Sequence, residues 1–116
     1  MDINELIAKA IAFRDERDWK QFHKPNHLAA AIAIEAAELQ AEFLWKTPAE
    51  ISEKIADPAQ RKAVEEELAD VLIYTLLLTR EIGADPSEII QEKLKKNAEK
   101  YPVEKAKGNA KKYNEL

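Results

Sequence analysis

Apolar positions along the chain recur three and four residues apart, the spacing of one face of a helix. Ile3, Ile7 and Ile11, with Arg14 in the same stripe, predict a first helix from Ile3 to about Trp19. Lys24-Pro25-Asn26 interrupts it, and Asn26 is placed to cap a second helix from His27 to about Lys46. Leu28, Ile32, Glu35 and Leu39 follow one stripe of that helix. Thr47-Pro48-Ala49-Glu50 joins a capping residue, a proline at the first helical position and a glutamate at the third, and opens a short helix to about Ile55. Asp57-Pro58-Ala59-Gln60 repeats the device and opens a third long helix to about Ile82, which Gly83 can terminate. Asp85-Pro86-Ser87-Glu88 opens a fourth, ending near Tyr101-Pro102. Four long helices with short connections predict an all-α, antiparallel four-helix bundle. Val71, Leu72, Ile73, Leu76, Leu77 and Leu78 wrap more than one face of the third long helix. A helix apolar on several sides is buried on several sides, so the bundle is expected to be completed by oligomerisation.

Composition narrows the chemistry. The 116 residues hold no cysteine, which excludes disulfide frameworks, thiolate metal sites and thiol catalysis. The histidines are His23 and His27, too few for a three-imidazole metal site, and the two glycines form no phosphate-cradling loop. Residues 93 to 112 carry +6, leaving −10 on the rest for a net charge of −4. An acidic body argues against DNA or RNA as partner, though not against a nucleotide. The basic end reads either as a solvated lysine-rich face or as a phosphate-facing one. No apolar run approaches the length of a membrane span, and the start MDINELIAKA lacks a signal pattern, so no membrane partner and a cytoplasmic location are expected. Residues 1–102 are read as one domain and 103–116 as a polar, lysine-rich tail or arm.

The unusual residues are acids inside apolar stripes. Glu35 stands in the core-facing stripe of the second helix and Glu38 projects beside it, three residues on. Glu67 and Asp70 repeat that spacing among Val64, Leu68, Val71 and Leu72, and Tyr74 follows on the same side. Four carboxylates aimed at a bundle interior repel one another and need a positive partner. No lysine or arginine precedes Lys46 in the second helix, so a hard divalent cation, Mg2+ or Mn2+, fits the all-oxygen donor set. The plainer reading is a set of exposed acids on an amphipathic surface. Di-iron chemistry usually requires Glu-x-x-His pairs, absent here. On the fourth helix Lys93 and Asn97 share a face, with Lys100 close and Tyr101 one turn past Asn97; they read as phosphate contacts or as plain surface. Trp19 ends the first helix near His23, and Trp45, seven residues past Glu38, is expected two turns along the same face. Such aromatics either stack on a base or plug a bundle end.

The segments RDWKQFHKPNHL (17–28), EAAELQAEFLWK (35–46), EEELADVLIY (65–74) and KLKKNAEKYP (93–102) resemble the all-α nucleoside triphosphate pyrophosphohydrolases, the MazG-like superfamily, and most closely its small dCTP pyrophosphatase branch. The resemblance implies Glu35, Glu38, Glu67 and Asp70 as magnesium ligands, with Lys93 assisting catalysis. It implies Lys93 and Asn97 as phosphate contacts, and Trp19, Trp45 and Tyr74 around base and sugar; His23, Lys100 and Tyr101, beside these residues in sequence, are further candidate substrate contacts. It also implies a homo-oligomer, a tetramer rather than a dimer, and the reaction NTP + water → NMP + pyrophosphate on dCTP or a modified dCTP, in nucleotide-pool cleaning. That branch can carry a histidine nine residues before Trp19. This chain has Ala10 there, which implies an altered pocket. Alternatives are a dUTP or broad-specificity enzyme, a phosphoribosyl-ATP pyrophosphatase, and a non-catalytic helical interaction protein.

Overall fold

The computed structural model describes residues 1–116, and every regular element is helical. The order is α1 (Ile3–Glu16), a 3-10 turn (Lys20–Phe22), α2 (Pro25–Ala41), α3 (Pro48–Ala56), α4 (Pro58–Glu81), α5 (Pro86–Lys100), α6 (Val103–Ala106) and a second 3-10 turn (Tyr113–Glu115). The chain forms two compact units, Met1–Gly83 and Ala84–Leu116.

Three of the expected helix starts rest on the expected caps. The side chains of Thr47, Asp57 and Asp85 accept hydrogen bonds from the backbone N–H of Glu50, Gln60 and Glu88, each with proline at the first helical position. Such a cap stabilises its helix by about 1 kcal/mol. α2 begins differently. Pro25 takes the first helical position, so Asn26 lies inside the helix, and Lys24 is an N-cap without a side-chain hydrogen bond. The two long helices before α3 also end earlier than their patterns suggest. α1 stops at Glu16, because Asp18 turns the backbone into the left-handed region at φ 55°. α2 stops at Ala41, and Trp45 takes φ 61° in the turn that follows. Trp19 and Trp45 are therefore loop residues.

In the first unit α4 packs against α1, α2 and α3. The rings of His23, just before α2, and Tyr74 meet at 6.2 Å, while Glu35 and Glu38 meet Glu67. Climbing α2 thus descends α4, the antiparallel arrangement expected. The fully buried apolar residues are few: Ile7 from α1, Leu28 from α2 and Leu77 from α4. Burial of each contributes about 1.5–3 kcal/mol. Around them, Leu6, Leu68, Leu72 and Ile73 remain 42–54% exposed. Ile3, Leu6, Ala10, Ala69, Leu72, Ile73 and Leu76 line a shallow apolar hollow of α1 and α4.

In the second unit, the chain after α5 returns to it. The Tyr101 and Tyr113 rings meet edge-on at 6.3 Å, and Lys100 Nζ lies 4.8 Å from the Tyr113 ring centre.

Candidate metal centre and ligand cavity

Glu35 and Glu38 come from α2 and Glu67 from α4, and carboxylate oxygens of all three lie within 4.8 Å of one another. The i,i+3 spacing places the first two on one helical face, and the antiparallel packing brings the third against them. Glu35 and Glu67 are half-buried, and one oxygen of each, Oε2, is fully buried with no hydrogen-bond donor. None of the three carboxylates, nor Asp70, has an ion pair. The electrostatic consequence is a reluctance to ionise. The Glu35 carboxyl is pushed up to about 7, first by a shared hydrogen bond with Glu38, then by burial and by the charges of Glu38, Asp70 and Glu67. Glu67 is raised by burial, by its own contact with Glu38 and by the neighbouring acids. Asp70 lies one turn beyond Glu67, outside the tight trio but close enough for its charge to act on both groups.

Glu42, at the end of α2, is treated differently. Lys54 of α3 donates to its carboxylate and, at 2.8 Å, to its backbone carbonyl. This ion pair is largely buried, and the sequence reading did not anticipate it.

On the other side of Asp70 opens a cavity of about 490 Å³, inside the range of small-molecule sites, roughly 300–1,000 Å³. Phe13, Trp19, Ile73, Tyr74 and Leu77 supply apolar and aromatic walls, and Lys9, Arg14, His23 and Asp70 the charged or titratable groups. Phe13 and Trp19 meet edge-on at 5.8 Å. His23 has a buried, unpartnered Nδ1, and its pKa is lowered by burial and by Arg14, with Glu81 opposing. Ala10 also lines this cavity, where its methyl group leaves room.

Of the residues singled out from sequence, Glu35, Glu38 and Glu67 form the trio, Asp70 adjoins it, and Trp19, His23 and Tyr74 share the cavity. Trp45 does not lie along the Glu38 face. It is 92% exposed in the loop after α2, because the helix has already ended. Lys93, Asn97 and Lys100 lie on α5 and Tyr101 is its C-cap, all in the second unit. Arg14 was missed as a cavity residue. For Arg14 the signal was visible, a charge within an apolar helical stripe.

A family model described as "MazG-like family" matches residues 30–116. The chain is 40% identical to dCTP pyrophosphatase 1 of Rattus norvegicus and 39% identical to that of Homo sapiens, over 115 residues in each case. The matches cover 99% of this chain and 66% of each relative. Among solved structures, a pyrophosphatase from Archaeoglobus fulgidus superposes with a TM-score of 0.79 at 41% identity, covering 85% of this chain and 91% of that one.

Proposed function

The chain belongs to the MazG-like family, and we propose that it is a divalent-metal-dependent nucleoside triphosphate pyrophosphohydrolase, cleaving dCTP or a 5-modified dCTP to the monophosphate and pyrophosphate. The observation that carries this reading is the Glu35–Glu38–Glu67 trio, with two buried oxygens lacking any donor, beside an aromatic cavity that begins at Asp70. The names of the relatives support the substrate.

The donor set suits a hard cation: only carboxylate oxygens, no sulfur, no imidazole, and no protein cation in competition. Glu35, Glu38, Glu67 and Asp70 would hold Mg2+ or Mn2+. When bound, such a cation offsets the charge of the triphosphate and makes the attacking water more acidic. Glu38, the exposed member of the trio, is the group to accept that water's proton. Phe13, Trp19 and Tyr74 enclose base and sugar, and His23 faces the same space. Lys93 and Asn97 take the phosphate-contacting role that the resemblance implies, with Lys93 offsetting charge on the leaving group and Lys100 and Tyr101 as further candidate substrate contacts. The exposed apolar residues of α1 and α4 support a homo-oligomer, in which Trp45 reaches the site of a neighbouring subunit.

Incubation of the chain with Mg2+ and a panel of nucleoside triphosphates tests the reaction. Pyrophosphate release without orthophosphate is expected, fastest with a cytosine nucleotide. No release from any triphosphate defeats the enzyme reading, whereas a tenfold preference for dUTP or a purine defeats only the cytosine assignment. A light-scattering mass of one 13.2 kDa chain for an active sample defeats the oligomer.

A further inference from the structure

Arg14 is one of the most buried side chains in the protein, 5% exposed, yet it lines a cavity instead of filling the core. Its Nε donates to Asp15 Oδ1 at 2.9 Å, and that is its only hydrogen bond to protein. Nη1 and Nη2, which carry four N–H donors in a rigid plane, have no acceptor. Asp70, the one carboxylate on the cavity wall, forms no ion pair with it. Neither nitrogen is among the fully buried unpartnered atoms, so both are open to a ligand in the cavity that supplies acceptors. One turn earlier on the same face of α1, Ala10 keeps the approach clear.

The surroundings select what those acceptors belong to. Phe13, Trp19, Ile73, Tyr74 and Leu77 make the cavity apolar and aromatic, fit for a flat ring and unfit for a triphosphate. The phosphates have their own attraction at the acidic trio once it holds cations. Resting on the nucleotide reading above, we propose that Arg14 determines base specificity, its two terminal nitrogens donating side by side to two adjacent acceptors on the edge of the bound base.

A two-pronged donor divides the bases. Cytosine presents O2 and N3 as neighbouring acceptors, and guanine presents O6 and N7. Uracil and thymine place an N–H between their two carbonyls. Adenine places its amino group beside both N1 and N7. Only the first pair accepts the whole fork. The cavity of about 490 Å³ has room for either base, so the fork separates cytosine from uracil but not from guanine. The inference therefore gives a reason, within this chain, for cytosine over uracil.

The test compares kcat/KM for dCTP and dUTP, at fixed Mg2+, in the wild type, Arg14→Met and Arg14→Lys. Methionine keeps much of the apolar stem and removes the donors. Lysine keeps charge and stem and removes the fork, so it stands in if the methionine variant fails to fold. The wild type is expected to favour dCTP, and both variants to lower the dCTP:dUTP ratio roughly ten- to a hundredfold, mainly through dCTP. An unchanged ratio, with both substrates falling together, assigns Arg14 to phosphate binding or to folding and overturns the proposal while leaving the pyrophosphohydrolase intact. A wild-type ratio near one also overturns it. No pyrophosphate from any triphosphate with the wild type overturns both readings.

Discussion

Glu35 and Glu42 stand seven residues apart on α2 and its C-cap, two turns along one face, and their surroundings differ in one respect. Glu42 meets Lys54 and is held as an ion pair. Glu35 meets Glu38 and Glu67, and no lysine or arginine reaches it. The fold thus contains the means to neutralise an acid on this face and applies it at only one end. Burying a charge beside its opposite is tolerable, whereas burying it beside like charges raises its pKa and weakens the fold. The contrast supports the proposal that a bound cation supplies the positive charge missing at Glu35.

The largest effect should follow from dismantling the unpaired region. Glu38→Ala is expected to lower kcat/KM by roughly 10²–10⁴-fold, the usual range for losing a proton-transferring group, and Glu67→Gln to lower it comparably by weakening the cation's hold. The same variants should melt higher than the wild type in EDTA, because a repulsion has been removed. Near-normal turnover in both would show that the trio is not the reaction centre.

A smaller effect comes from making the paired region resemble the unpaired one. Lys54→Met leaves Glu42 without its cation in a largely buried place, and should cost about 1–3 kcal/mol in urea unfolding. Adding Glu42→Gln should recover most of the loss. If the double variant is no more stable than Lys54→Met, the pair is not what holds α3 to the end of α2.

The smallest effect is a pH dependence. Glu35 has its carboxyl raised from 4.5 to about 7, and Glu67 is shifted the same way. The folded state therefore binds these protons more tightly than the unfolded chain. Their contribution is fully present below about pH 4.5 and is lost as pH rises through about 7. Metal-free protein should lose melting temperature across that window, and the stabilisation given by Mg2+ should grow over it. A metal-free melting temperature that rises from pH 5 to 7 in the wild type, and no less in Glu35→Gln, would contradict the shift.

The sequence was most readable where one residue type forces one backbone geometry. Thr47-Pro48, Asp57-Pro58 and Asp85-Pro86 located three helix starts, since proline fits the first helical position and the preceding oxygen caps it. The acids were readable because helical periodicity alone puts Glu35 in an apolar stripe. The ends of α1 and α2 were not readable. They turn through left-handed residues that are an aspartate, which takes that conformation only occasionally, and a tryptophan, which announces no such turn. The Glu42–Lys54 pair joins residues twelve apart across a loop, a distance at which periodicity says nothing.

The backbone at Trp45 has a consequence of its own. A tryptophan in the left-handed region costs on the order of 1–2 kcal/mol that glycine would not. With 92% of its surface exposed, the ring recovers almost none of that by packing within its own chain. Trp45 is thus a position where the residue best for folding and the residue present part company. Trp45→Gly should leave the isolated chain as stable or more so, and in the proposed homo-oligomer the indole would act through what it meets on a neighbouring subunit.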